Sequence, residues 1–340
     1  MLSSIHIECS TIIYMKPKFV ISTGVGWSAT TPLWYTLQVD NQYLHVGIAK
    51  ENEYLPVIEK KPAQRLKHRL IQRNIFKKYG EPDSSGVFRF SNRKYKHGGR
   101  IPEVDRNLFL SQEEIDTFIS RPFSLEKYIN YYKRLWETLQ ENNCPYQAVG
   151  DFSNANGWLS KEFCHKLVEG LSEYFDVKAL MIVRDPIRRL WSQTNAFWTY
   201  RKNSMASTEE ETQKIFFDYM SKYNASQYFN IIDKWEKVCP LHVIIMEQLW
   251  EGDEQEREKQ RLSDFLDYDI KNIHENAYCP DRGPNAPKHL GLKDQWSSDK
   301  YWLSDELYNQ VLPIMPIYQQ WVDRYGSLPL YWGKPYPYEV

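Results

Sequence analysis

The sequence predicts an α/β fold with a central, mostly parallel sheet flanked by helices. Short apolar runs typical of buried strands recur along the 340-residue chain, at 19–22, 178–183 and 241–246. Segments with helical periodicity lie between these runs, and the clearest of them spans 125–139, where apolar residues recur at i, i+3, i+4 and i+7. Strands that are apolar throughout and alternate with helices are typical of parallel sheets covered on both faces.

The first predicted strand leads into a turn and a helix start of the kind that binds anions. A glycine-containing turn follows residues 19–22, and a helix is predicted from about 30 to 37, with Pro32 in its first turn. Backbone N–H groups at a helix N-terminus lack intrahelical partners, and the helix dipole favours negative charge there. The candidate anion-binding residues of this loop are Gly24, Val25, Gly26, Trp27, Ser28, Ala29, Thr30 and Thr31.

This loop lacks the lysine that ATP- and GTP-binding loops carry just before their final Ser or Thr. Ala29 or Thr30 stands at that position. The sequence therefore predicts a phosphate-bearing cofactor other than a nucleoside triphosphate with magnesium.

Charged side chains follow two further predicted strands. The run 44–49 ends at Lys50 and Glu51, and the run 146–150 ends at Asp151 in a polar loop that spans 151–157. Ligands of open α/β sheets bind at the carboxyl ends of strands, which makes Glu51 and Asp151 candidate general bases. Two alternatives stay open: Glu51 forms a surface ion pair, or Asp151 caps the turn before Ser153.

The strand at 178–183 ends in a third polar segment, Arg184–Ser192. An arginine at the strand end and the Ser192 hydroxyl about two turns into the next helix suit a phosphate monoester. The alternative is a structural turn, in which Asp185 caps a helix that begins at Pro186.

Charge is distributed unevenly along a chain whose net charge is −1. Residues 60–78 hold eight Lys or Arg and no acid, and 89–100 hold five more, within a predicted basic insertion around 60–106. Such runs are either solvated helix faces and loops or a basic lip over an anionic acceptor or cofactor. The bulk charge predicts no nucleic-acid partner.

The remaining composition predicts one intracellular domain without a metal. The five cysteines are scattered and lack CxxC spacing, which indicates a reducing, cytoplasmic compartment and no metal site. No apolar run approaches the ~18 residues of a membrane span. We expect residues 1–14 to be a disordered extension and 15–340 a single domain.

Two motifs together resemble the sulfotransferase family, whose donor is 3′-phosphoadenosine 5′-phosphosulfate (PAPS). The family's 5′-phosphosulfate loop, Gly-x-x-Lys/Arg-Ser/Gly-Gly-Thr-Thr-x-Leu, is similar to Gly24–Leu33. Its 3′-phosphate motif, Arg-Asp/Asn-Pro-x-x-Arg-x-x-Ser, is matched throughout by Arg184–Ser192. The resemblance implies a P-loop-like nucleotide-binding fold, a loop that holds the 5′-phosphosulfate, and Arg184 and Ser192 on the 3′-phosphate.

Weaker similarities point to the glycan branch of that family, which includes the heparan sulfate sulfotransferases. Lys50–Leu55 resembles the branch's Lys-Glu-x-x-Phe-Phe, and Gly150–Asn156 is similar to its Gly-Glu-Lys-Ser/Thr-Pro-x-Tyr. They imply a carbohydrate acceptor and a catalytic Glu51. A basic loop at Arg282 and Gly283 corresponds to the C-terminal loop that closes over the cofactor in the family.

The sequence departs from the family at two cations. Trp27 stands where the loop lysine or arginine is expected, and Phe152 replaces the lysine of the second glycan-type motif. We expect Lys50 or Arg282 to supply the missing charge. The alternatives are a protein that binds PAPS without efficient transfer and a P-loop kinase for a small molecule, against which the absent lysine and the 3′-phosphate motif both speak.

Overall fold

Five parallel strands form the central sheet, in the spatial order β2-β3-β1-β4-β5. The strands are β1 (Lys18–Ser22), β2 (Leu44–His45), β3 (Ala148–Asp151), β4 (Asp176–Val183) and β5 (Leu241–Ile245). The predicted α/β class with a parallel central sheet is confirmed. The structure is a computed structural model that describes residues 16–26, 28–47, 50, 54–59, 114, 117–118, 122–190, 193, 217, 227–250, 253–274, 309 and 316–333.

Helices cover both faces of this sheet. They are α1 (Thr30–Trp34), α2 (Tyr54–Glu59), α3 (Leu125–Glu141), α4 (Lys161–Ser172), α5 (Gln227–Trp235), α6 (Met246–Trp250), α7 (Gln255–Leu266) and α8 (Pro316–Tyr325). A π-helical segment, Tyr35–Asp40, continues α1, and a 3₁₀ helix, Asn154–Trp158, follows β3.

The alternation of side chains along the central strand divides the core into two layers. Phe19 and Ile21 of β1 point into one apolar cluster, formed with α3, α4, α5 and α8. Val20 points into the other cluster, formed with α1, α6 and α7. Successive residues of a strand face opposite sides of the sheet, so β1 is buried on both faces and its central residues, 19–21, are apolar.

Serine side chains cap two of these helices at their N-termini. Helix α3 begins where the Ser124 hydroxyl accepts a hydrogen bond from the backbone N–H of Lys127, and α4 is capped in the same way by Ser160.

The structure corrects the predicted second strand. The apolar run 44–49 pairs with β3 only over Leu44–His45, and the chain then turns at Gly47, which has a φ of 75°. Lys50 therefore lies several residues beyond the strand and not at its end. The polar loop predicted at 151–157 is also partly helical. The predicted extension at 1–14 and the basic insertion around 60–106 lie outside the described residues.

Candidate functional site

The loop between β1 and α1 leaves the carboxyl edge of the central strand. The backbone N–H groups of Thr23 and Val25 donate to the carbonyls of Leu180 and Ile182, at 2.8 and 3.0 Å. The Ile182 N–H donates in turn to the carbonyl of Gly24, at 2.9 Å. These bonds continue the β1–β4 pairing beyond the strand, so they fix the start of the loop to the centre of the sheet.

Two backbone conformations shape this loop. Gly24 has a φ of 91°, and a Cβ atom there would lie only 3.0 Å from the carbonyl oxygen of Asn154. Both facts require glycine, because an L side chain would be strained and crowded. Ala29 is also left-handed, with a φ of 61°, and immediately precedes the first turn of α1.

Ser28 gives this loop a buried polar group that suits an anion. Its side chain is fully buried, and its hydroxyl makes no hydrogen bond within the part of the chain that the structure describes. A buried hydroxyl without a partner costs about 1–3 kcal/mol. Together with the N-terminus of α1, the Ser28 hydroxyl fits a phosphate or sulfate oxygen as partner.

A buried lysine lies against the same loop. Only 5% of Lys50 is exposed, and its ammonium group donates to the hydroxyl of Thr30 at 3.4 Å. A lysine is rarely buried without a charged or polar partner. Of the sequence-predicted residues, Lys50 and Thr30 are thus brought together, and a positive charge is placed beside the start of α1.

Asp151 is fully buried at the end of β3. One carboxylate oxygen accepts the backbone N–H of Ser153 at 2.8 Å, and the other accepts the Tyr128 hydroxyl at 2.9 Å. Burial raises the pKa of Asp151, against the opposing effect of these hydrogen bonds. This is the arrangement that the turn-capping alternative predicts for Asp151.

The raised pKa of Asp151 predicts a pH-dependent stability. The folded state binds the proton of the Asp151 carboxyl group more tightly than the unfolded chain does. The stability that this proton contributes is therefore complete below the unfolded pKa, and it is lost as pH rises through the folded pKa. Asp151→Asn removes the titration. We expect the free energy of unfolding of Asp151→Asn to increase relative to that of the wild type between pH 4 and pH 7, as measured by urea titration.

Asp267→Asn provides a control with the opposite sign. A hydrogen bond and the charge of Lys178 lower the pKa of Asp267, so its stabilising effect is present at neutral pH and is lost on acidification. The stability of Asp267→Asn relative to the wild type should therefore worsen as pH rises. Parallel wild-type and Asp151→Asn stability curves would contradict the role of burial at Asp151.

The segment after β4 approaches the loop from the other side. The Nε of Arg189 donates to the carbonyl of Gly26 at 3.2 Å, and the carbonyl of Arg184 accepts the Tyr228 hydroxyl at 2.8 Å. Residues 186–190 are helical. The two segments that carry the predicted 5′ and 3′ phosphate motifs are therefore in contact.

Asp185 plays the structural part that the turn alternative predicts. Its Oδ1 accepts the backbone N–H groups of Ile187 and Arg188, at 3.0 and 3.1 Å, and so caps the helix that follows. Its Oδ2 accepts the Tyr318 hydroxyl and the Gly333 N–H, both at 3.0 Å. Asp185 thereby ties the end of β4 to the C-terminal part of the chain.

Sequence reasoning missed two side chains of this region, Tyr228 and Glu247. Tyr228 comes from α5, for which only helical periodicity was evident. Glu247 is fully buried and accepts the backbone N–H of Asp185 at 2.8 Å and the indole N–H of Trp332 at 3.0 Å. A carboxylate directly after the predicted strand 241–246 was the available signal for Glu247.

Several sequence-predicted site residues lie outside the described residues and stay predictions. They are Trp27, Glu51, Ser192, Arg282 and Gly283. Phe152, at the position of a glycan-type lysine, is fully buried in the apolar cluster beside α1.

Two kinds of feature are absent from the described residues. Within those ranges, no cluster of three or more His, Cys, Asp or Glu side chains is placed to hold a metal ion. None of the helices described is both long and apolar enough to cross a membrane.

Comparison with known proteins gives remote structural similarity alone. No family model and no curated protein matches the chain. A sulfotransferase from Alicyclobacillus acidocaldarius is similar with a TM-score of 0.47 and 12% identity, over 92% of this chain and 97% of that one. A sulfotransferase from Mycobacterium avium gives a TM-score of 0.40 and 14% identity, over 92% and 78%. Both TM-scores are low, so the α/β assignment depends on the sheet topology.

Proposed function

We propose that this protein is a PAPS-dependent sulfotransferase, which moves a sulfuryl group to a hydroxyl or amine of an acceptor. The observation that carries the proposal is the buried Lys50 ammonium group, 3.4 Å from the hydroxyl of Thr30 at the start of α1. It stands beside the loop in which Trp27 replaces the cation of the family motif. Lys50 therefore supplies the charge that the loop itself lacks.

The 5′ half of the donor site is formed by the loop and α1. The backbone N–H groups at the start of α1 and the hydroxyls of Ser28, Thr30 and Thr31 donate to the phosphosulfate oxygens. The buried Ser28 hydroxyl supports this assignment, because it offers a donor to an anion at the start of α1.

The 3′ half is formed by the segment that follows β4. In the proposal, the Arg184 guanidinium and the Ser192 hydroxyl hold the 3′-phosphate, as the motif resemblance implies. The contact between Arg189 and Gly26 supports the pairing of the two halves, since it brings the motif segment against the loop. A nucleotide with two phosphate groups then spans both segments.

PAPS supplies a transferable sulfuryl group on a phosphate leaving group when it is bound. Glu51 takes the proton of the acceptor hydroxyl, and Asp151 is the alternative base. Lys50 and the donors of α1 stabilise the negative charge that develops on the leaving oxygen.

Glu51→Gln should abolish transfer without loss of donor binding if Glu51 is the base.

The acceptor and the compartment follow from weaker observations. The two glycan-type similarities and the basic residues of 60–100 favour an anionic carbohydrate as acceptor. The scattered cysteines favour a cytoplasmic location. A second candidate function is PAPS binding without efficient transfer, which Phe152 favours because its buried side chain provides no cation.

Isothermal titration calorimetry with the product nucleotide, 3′-phosphoadenosine 5′-phosphate (PAP), tests the donor assignment. We expect micromolar or tighter binding of PAP and no comparable binding of ATP with magnesium. The reverse preference would support the kinase alternative and refute the proposal.

A transfer assay with radiolabelled PAPS separates the enzyme from the binding protein. Glycans, phenols and amines serve as the acceptor panel, and labelled product on a glycan is the expected result. Binding of PAP with no labelled product from any acceptor would favour the second candidate function.

A further inference from the structure

Tyr228 and Arg189 connect the two halves of the proposed donor site. The Arg189 Nε holds the carbonyl of Gly26, in the 5′ loop, at 3.2 Å. The guanidinium carbon of Arg189 lies 5.5 Å from the centre of the Tyr228 ring, a cation–π distance. The Tyr228 hydroxyl holds the carbonyl of Arg184, in the 3′ segment, at 2.8 Å. One continuous set of contacts thus joins the two segments, and we name it the Arg189–Tyr228 link.

The polar end of Tyr228 is a donor at neutral pH. Burial raises the pKa of Tyr228 to about 12, although the Arg189 charge opposes that shift. The Ser28 hydroxyl of the 5′ loop also lies close enough to Tyr228 to lower this pKa. The Tyr228 hydroxyl therefore keeps its proton and lies near groups of both half-sites.

We infer that Arg189 and Tyr228 are positioning residues that set the spacing of the two half-sites, and so select a nucleotide with both a 3′ and a 5′ phosphate. This inference rests on the proposed function. Each link residue holds a backbone carbonyl of one half-site, so neither needs to touch the nucleotide. When the spacing of the half-sites is already fixed, less entropy is lost on binding a nucleotide that contacts both of them. A nucleotide with one phosphate contacts only one half-site, so the fixed spacing does not raise its affinity.

Selectivity among nucleotides distinguishes a positioning role of Tyr228 from a role in packing alone. The Tyr228 ring also packs near Trp332, with centroids 6.3 Å apart, so loss of the whole side chain would disturb the core. Tyr228→Phe removes only the hydroxyl and keeps the ring beneath Arg189. A purely structural change would weaken all nucleotides alike, whereas loss of the spacing weakens the bisphosphate alone.

The test is calorimetric titration of wild type and variants with PAP, 5′-AMP and 3′-AMP. In the wild type, PAP should bind more tightly than either monophosphate. In Tyr228→Phe, that preference should fall about tenfold, the scale of one buried hydrogen bond whose acceptor is left unpaired. Arg189→Lys, which keeps the charge but loses the fork that reaches Gly26, should reduce the preference in the same direction.

Tyr268→Phe is the matched control. Its hydroxyl also donates to a backbone carbonyl at 2.8 Å, that of Asn41, which directly follows the π-helical segment after α1. Its PAP preference should stay within about twofold of the wild type. An unchanged preference in Tyr228→Phe and Arg189→Lys, with PAP still bound, would overturn the link and leave the proposed function standing. A wild type that binds no PAP would refute both.

Discussion

Lys50→Met should lower kcat for sulfuryl transfer by about 10²–10³, the usual effect of removing one electrostatic donor from a developing oxyanion. The ammonium group of Lys50 is buried and lies 3.4 Å from the Thr30 hydroxyl, at the start of α1. Methionine is also a long, unbranched side chain, so the substitution removes the positive charge and changes the packing little. Steady-state transfer of labelled sulfate, with the best acceptor of the panel, is the measurement.

The expected pattern is a larger effect on kcat than on binding of PAP. The charge of Lys50 acts most strongly when negative charge develops on the leaving oxygen, and PAP reports only the ground state of the site. Lys50→Arg should restore part of the activity because it keeps a cation, although guanidinium geometry differs from that of an ammonium group.

Lys178→Met is the control for loss of a partly buried lysine. Lys178 lies in the amino-terminal half of β4, away from the loop, and donates to the Phe265 carbonyl and to Asp267. Its substitution should leave kcat within about twofold of the wild type. Full activity in Lys50→Met would show that another cation, such as Arg282, replaces the loop lysine.

The fold was predictable where one local signal sufficed. The apolar runs of β1, β4 and β5 and the amphipathic stripe of α3 each determine their element without long-range information. The second strand was overestimated because β2 lies at the edge of the sheet and pairs with β3 alone, so an apolar run there can leave the sheet early. Helix α7 was missed because the acidic run 251–258, which overlaps its first turn, suggests a solvated surface.

The ion pairs of α7 are not evident from its amino-acid composition. Glu254 pairs with Arg257, and Glu256 pairs with Lys259, one turn apart on the helix surface. Glu258 points inward and is buried beside His242. Pairing at i and i+3 stabilises a helix that has few apolar residues, and a charge count along the sequence does not reveal it.

The site was predictable as a set of strand ends but not as a set of contacts. Parallel topology brings the residues after β1 and β4 to one edge of the sheet, and the motifs identified both segments. The bond between Arg189 and Gly26 joins residues 163 positions apart, and nothing local predicts it. The same holds for Tyr228, whose role depends on how α5 packs over β4.

Asp185→Ala should lower the free energy of unfolding by about 3 kcal/mol, because it removes both a helix cap and a buried acceptor. Four donors of the described residues point at this fully buried carboxylate. Two are the N–H groups of Ile187 and Arg188, and two come from the C-terminal part, the Tyr318 hydroxyl and the Gly333 N–H. Alanine leaves all of them without that acceptor. Urea titration followed by tryptophan fluorescence measures the loss.

Asp185→Asn separates the two functions of the side chain. Its carbonyl oxygen can still cap Ile187 and Arg188, whereas its NH₂ group cannot accept from Tyr318 and Gly333. We therefore expect a loss of stability between those of the wild type and of Asp185→Ala. Asp264→Ala, which removes an exposed carboxylate bound to Gln260, should change stability by less than about 0.5 kcal/mol.

Asp185→Asn also tests whether Asp185 positions the proposed donor site. Asp185 holds the first turn of the helix that carries Arg189, and its backbone N–H is held by Glu247, to which Trp332 also donates. Release of this anchor frees the 3′ segment from its fixed place beside Gly26. In Asp185→Asn, affinity for PAP should therefore fall more than affinity for 5′-AMP. Equal losses for both nucleotides would mean that Asp185 stabilises the fold without positioning the donor site.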